Sequence, residues 1–312
     1  MKPIYKLLDW IDINNLVFSK LSKNTNDYAI ELLKQNPSKI DWIDLSYNNN
    51  DYAIELLMKN KNKINWRLLS LNNNDRAIEI LQQNPDKIYW RELSSNTNKK
   101  VIKLLENNIK NVSSYYLSYN INAIDILLEN QYRINWQSFS FNENNKAIEL
   151  LKSYKNKISW QCLSTNKNDR AIELLRENPD KIDWHFLSSN KNDKALELLE
   201  KNPDKINWIY LSSNYNDKAL ELLKNNQDKI YWYNFSQNEN VKAMEILKEN
   251  QDKIDWDCLS SNKNIFELDY NKMKDNFKEL GNEILEKSLN PDRIKRLSII
   301  YNFNLTDWFI NN

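Results

Sequence analysis

Asn178-Pro179-Asp180-Lys181-Ile182-Asp183-Trp184-His185-Phe186-Leu187-Ser188-Ser189-Asn190 is one copy of a pattern that fills most of the chain. Steps of 24 residues from Trp184 meet Trp160 and Trp136 on one side and Trp208, Trp232 and Trp256 on the other. Trp42, Trp66 and Trp90 keep the same interval, and one further step back reaches Phe18. Trp90 and Trp136 are 46 residues apart, one full unit and one shortened by two, with Ser114 at the vacant Trp position. A Ser two residues before an Asn recurs eleven times, from Asn24 to Asn262. Fixed self-similarity of this length marks a repeat array, whose units bury their apolar faces only by stacking.

Each unit reads as two short helices. Ala29, Ile30, Leu32 and Leu33 form an apolar stripe at helical spacing over Asp27 to Gln35, with Asp27 as the expected N-cap. Asn36 ends that helix and Pro37 opens the turn that follows. A shorter helix over Asp41 to Tyr47 then places Trp42 and Leu45 on one face. Asn48 closes it, on the expectation that Asn adopts the left-handed turn conformation in place of Gly. A leucine-rich horseshoe has a similar period, but its strand needs an apolar residue where Ile43, Arg67, Arg91, Gln137, Gln161, His185 and Asp257 stand, a mostly polar set. The expected fold is therefore all-α, an α-solenoid of about eleven 24-residue helix-turn-helix repeats with helical end caps. Residues 1–17 read as a degenerate N-terminal helix, 18–262 as the array and 263–312 as a C-terminal helical cap that closes at Trp308. With layers about 9–10 Å apart, such an array is expected to be a curved rod on the order of 100 Å long.

Composition narrows the chemistry. One Gly among 312 residues cannot spell a dinucleotide-binding fingerprint, a P-loop or a nucleophile elbow. One His makes a conventional triad or a His-rich metal centre implausible. Cys162 and Cys258 lie far apart without a Cys-x-x-Cys spacing, which points to a reducing compartment. The opening residues lack the apolar core of a secretory signal, and no run approaches the roughly 20 apolar residues of a membrane span. The expectation is a cytoplasmic, non-enzymatic protein with no cofactor, no metal, no membrane and no small-molecule substrate.

The string from Asn178 to Asn190 resembles the short helical repeats of giant viruses of the mimivirus group, and the tail from Asn290-Pro291-Asp292-Arg293-Ile294 to Trp308 is similar to the closing segment of such proteins. That resemblance covers most of the chain and implies a repeat protein of host cytoplasm or virion, with no catalytic residue to carry over.

Several columns of the repeat are candidates for function. The Trp ladder offers base-stacking faces, yet each Trp precedes a Leu by three residues on an apolar face, where aromatics serve as core. Two basic columns run through Lys39, Lys87 and Lys181 and through Arg76, Arg170 and Lys218. They are able to track phosphates, although neighbouring Asp and Glu columns neutralise them. Without Trp at 114 a void is expected unless Tyr115 or Tyr116 turns in to fill it. The pair after each Trp varies most, and its Arg67, Arg91, Tyr115, Tyr116, His185, Phe186, Tyr210 and Tyr233 suit an interface on a fixed frame. The expected activity is protein–protein interaction with a viral or host partner. The alternative is a single-stranded RNA or other nucleic-acid binder that uses the basic columns.

Overall fold

The computed structural model describes residues 3–288, 290 and 293–297. Leu7–Phe266 form one compact unit, and the described residues of Met1–Lys6 and Glu267–Asn312 form a second.

In the first unit most repeats of the α-solenoid take one form: a long helix, a 3₁₀ turn and a short helix, as in Asp27–Gln35, Pro37–Lys39 and Trp42–Tyr47. Ala29, Ile30, Leu32 and Leu33 are all buried. Asn26 rather than Asp27 caps the long helix, its side chain accepting the Tyr28 amide at 2.9 Å. Asp27 instead accepts from Asn50 Nδ2 of the next repeat at 2.7 Å. Asp41 caps the short helix by accepting the amides of Ile43 and Asp44. The Trp side chains are half-buried rather than enclosed.

The Asn residues do not supply left-handed turns. Asn48 has φ −70° and ψ 120°, and Asn36 has φ −128° and ψ 60°, backbone that many residues adopt. Their use lies in the side-chain amide, which donates and accepts at once. Asn36 Nδ2 donates to Leu32 O at 2.9 Å, closing the long helix. Asn48 Nδ2 donates to Ser22 O and Asn24 O of the preceding repeat, both at 2.9 Å, while its Oδ1 accepts the Asn50 amide. Ser46 Oγ donates to Trp42 O at 2.7 Å and accepts the Asn65 amide of the following repeat at 2.9 Å. The Ser-x-Asn element is thus the joint between repeats. Both of its conserved side chains are buried in every copy, so the joint has its polar atoms satisfied inside the core.

The array closes on itself, which corrects the expected open rod. Asn24 of the first repeat donates to Ser260 O at 3.3 Å and to Asn262 O at 2.9 Å, the bonds that Asn48 makes to Ser22 and Asn24. Val17 N donates to Ser260 Oγ at 2.9 Å, as Asp41 N does to Ser22 Oγ. Leu8 N donates to Ile265 O, and Tyr28 meets Phe266 edge to face at 5.5 Å. The last repeat therefore precedes the first geometrically, and each covers the apolar face that an open end leaves to solvent. The unit is a ring of eleven repeats.

Short helices of adjacent repeats approach more closely than long helices do. In a closed ring the distance between equivalent elements grows with radius, so the short helices form the inner wall and the long helices the outer. With inner spacing of about 8 Å, the short-helix axes lie about 14 Å from the centre and encircle an opening about 17 Å wide.

Near the N-terminus the described residues hold a strand, Tyr5–Leu7, and 3₁₀ turns at Ile13–Asn15 and Phe18–Lys23. The degenerate α-helix expected over 1–17 does not form there, because Phe18–Lys23 already completes the first repeat against the last. The strand pairs with Phe266–Leu268. In the second unit Asp269 N donates to Ile4 O at 2.8 Å, and Tyr270–Ser288 is one unbroken helix. Gly281 lies within it without interrupting it. Residues 293–297 are helical. The expected closing segment at Trp308 lies outside the described residues.

Candidate functional site

Helical geometry decides what each wall displays. On a short helix the residue after Trp and the residue between Ser and Asn both lie roughly 160° from the buried Leu. That Leu points outward to the long-helix layer, so these two columns face the opening. The first runs through Arg67, Arg91, Tyr115, His185 and Tyr233, all exposed. Phe186, Tyr116 and Tyr210 occupy the adjacent column and lie partly against neighbouring repeats.

The candidate interface residues fall into two stretches of this inner wall. In one, Arg67 Nε reaches the buried Glu92 at 2.6 Å, and Arg91 donates to the Tyr116 hydroxyl at 3.1 Å while covering its ring. Tyr115, Tyr116 and Tyr119 pack edge to face, with centroids 5.2–6.5 Å apart. In the other, His185 Nδ1 meets Asn207 Nδ2 at 2.6 Å, and Phe186 stacks on Tyr210 at 5.9 Å. The Tyr233 hydroxyl is raised above its ordinary pKa by its bond to Cys258. Burial, reinforced by Asp255, pushes the Cys258 thiol up to about 11. Cys162 is likewise raised by burial, so neither thiol is an activated nucleophile.

Tyr115 and Tyr116 do not fill the space left by the missing Trp. Elsewhere a Lys of the following repeat lies over the Trp-column ring, as Lys39 over Phe18, Lys229 over Trp208 and Lys253 over Trp232. At Ser114 that role has no ring, and Arg133 enters the space instead, donating to Val112 O at 2.8 Å. Its Nε is buried without a partner. Tyr115 stays exposed because its position points to the opening.

The outer wall carries the second basic column, and all seven of its members are engaged. Arg76 pairs with Glu55, Lys100 with Glu79, Lys146 with Asp125, Arg170 with Glu149, Lys194 with Glu173, Lys218 with Glu197 and Lys242 with Asp217. Each pair joins one repeat to the preceding one. Of the turn column, Lys87, Lys181 and Lys205 pair with the Asp just before them. Lys39, Lys229 and Lys253 of that column lie over rings, and the column is exposed along its length.

One column that faces the opening escaped the sequence reading. The middle residue of Ser-x-Asn was a spacer there, yet it projects to the opening. It is aromatic at Tyr47, Tyr119 and Phe141 and mostly small and polar elsewhere. Around Tyr119 and Phe141 the wall holds a cavity of about 490 Å³. The aromatic exceptions in an otherwise polar column were the available signal.

Among the described residues no group of three or more His, Cys, Asp or Glu is placed to hold a metal ion. Among them, no helix is long and apolar enough to cross a membrane. Compared with known protein families, curated proteins and solved structures, the chain matches none.

Proposed function

We propose that the ring is a non-catalytic scaffold that binds a protein partner through its inner wall. The observation that carries this reading is the contrast between an invariant frame and a variable face. Ser and Asn repeat at every joint, with Leu or Phe and in most repeats Ala beside them, while the position after the Trp column changes from Arg67 to Tyr115, His185 and Tyr233 and stays exposed. Aromatic and Arg side chains dominate binding energy at protein interfaces, and several here are already held in place by neighbours. Pre-ordered side chains lose less entropy on binding. The outer wall offers the opposite character, with its charges satisfied within the ring.

Affinity capture from expressing cells tests the reading. The triple variant Arg91→Ala, Tyr210→Ala, Tyr233→Ala should lose its bound protein. The outer-wall double variant Arg76→Ala, Arg170→Ala should keep it. Equal retention by the inner-wall variant refutes the proposal.

A further inference from the structure

We propose that the recess around Tyr119 and Phe141 is a binding site for a small, planar aromatic molecule with a hydrogen-bonding edge. The recess has a local cause. Tyr119 and Phe141 are neighbours in the column that faces the opening, and short side chains, Ser95 and Thr165, flank them on either side. Two tall rings between low positions make walls with a floor between them. This happens where the repeat is shortened: Asn120 and Asn142 are 22 residues apart instead of 24. The two lost residues fall at the start of the long helix, which begins at Ile124 after a 3₁₀ turn, Ile121–Ala123. Ile121 thereby comes to line the recess with the two rings.

The lining fits a flat ring. Tyr115 and Phe141 are 44% and 38% exposed, large apolar faces left toward water in one hollow. Tyr115 and Tyr119 are braced edge to face with Tyr116, so their faces are fixed before any ligand arrives. Thr165 turns its hydroxyl back onto Cys162 O at 2.9 Å. At one lip Glu143 and Lys167 pair at 3.4 Å, an acceptor and a donor side by side with no net charge. A ligand edge bearing both a donor and an acceptor matches that pair, and a net charge does not. The volume of 490 Å³ is within the usual range of about 300–1,000 Å³ for small-molecule sites and exceeds a single benzene ring. Two or three fused rings fill it better.

Saturation-transfer NMR and calorimetry on the full chain test the site, with indole and quinolin-4-ol as planar probes and cyclohexanol as the non-planar control. The planar probes should bind at one site, and cyclohexanol should not. Phe141→Ala should weaken binding about tenfold by removing one wall. Thr165→Phe should abolish it by setting a further ring into the recess from its edge, while leaving every existing ring in place. Gln237→Ala, exposed in the same column but distant from the recess, should leave it unchanged. No binding up to the solubility limit overturns the proposal, as does equal affinity in Phe141→Ala and Thr165→Phe or equal binding of cyclohexanol. Binding of a Trp-bearing peptide without binding of free indole also overturns it, since the ring alone must suffice. Partner capture by Thr165→Phe, measured in parallel, keeps this outcome separate from the scaffold reading.

Discussion

Ring closure predicts that the first joint of the array costs as much to break as one in the middle. Asn24→Ala and Asn166→Ala are the matched perturbations. Asn166 is buried and donates to Ser140 O and Asn142 O, both at 3.0 Å, while its Oδ1 accepts the Asn168 amide at 3.0 Å. Asn24 is equally buried and makes the same three bonds, to Ser260 O, Asn262 O and the Asn26 amide. Truncation to Ala leaves two carbonyls and one amide without partners, two of the three well inside the joint. At about 1–3 kcal/mol for each buried orphan, with some rescue by water, either substitution should cost about 3–5 kcal/mol. In an open array Asn24 has no preceding repeat, and only its local bond to Asn26 is lost, worth about 1 kcal/mol. Urea unfolding followed by Trp fluorescence separates the cases, provided both variants keep the wild-type m-value. Equal losses agree with a closed ring. A loss under about 1 kcal/mol for Asn24→Ala beside a full loss for Asn166→Ala refutes closure.

Three further outcomes follow from individual contacts. Ser114→Trp should not stabilise alone, because Arg133 occupies the space, whereas Ser114→Trp with Arg133→Lys should raise the melting temperature. The double variant restores a ring beneath a cation and removes a buried unpartnered Nε, a gain of about 1–2 kcal/mol; a Tm below both single variants rejects this account. With the Cys258 thiol raised from 9.0 to about 11, its thiolate fraction at pH 8 is lowered about 100-fold, so disulfide-exchange labelling should be far slower in the folded protein than in urea. Asp255→Asn should speed that labelling, and an unchanged rate counts against the carboxylate's part. On the outer wall, bonds from Asn98 and Lys100 hold the Asp75 carboxyl below its ordinary range, and Asn192 with Lys194 does the same to Asp169. Asp217 is held down first by Lys242 and then by Asn240. Depressed folded-state values stabilise above the unfolded pKa, so this contribution is full above about pH 5 and drains as pH falls below about 4. A Tm flat from pH 7 to pH 3 contradicts it.

Period and helix content were legible because they depend on spacing alone. Closure was not, because spacing carries no angle. A fixed interval of 24 residues serves a rod or a ring equally. One hint was present: Ser22 with Asn24 and Ser260 with Asn262 keep the joint residues at both ends, where an open array needs polar replacements. Asn was misjudged for a physical reason as well. Its tolerance of left-handed backbone was weighed above the reach of its amide, and the reach is what the joints use. At the inner wall, the residue after Trp stood out because it varies beside fixed neighbours. Tyr119 and Phe141 were hidden inside a motif whose flanking Ser and Asn drew the attention.

Curvature explains why the two walls differ. Eleven repeats turn the chain through about 33° each, so the long helices, on the larger radius, stand farther apart than the short ones. Adjacent long helices still approach within 8 Å at their nearest Cα atoms, so the wider spacing loosens their packing without parting them. Long charged side chains span the difference, and the pairs found there do so: Arg170 Nη1 to Glu149 at 2.8 Å, Lys218 Nζ to Glu197 at 2.9 Å. Exposed pairs of this kind contribute little stability one by one. Their regular placement adds to the direct contacts between adjacent outer helices in keeping them in register. The second basic column, which the sequence reads as neutralised by neighbouring Asp and Glu, pairs with acids of the preceding repeat across this outer wall. The inner wall, compressed by the same bend, is where neighbouring side chains meet and where exposed rings are held ready.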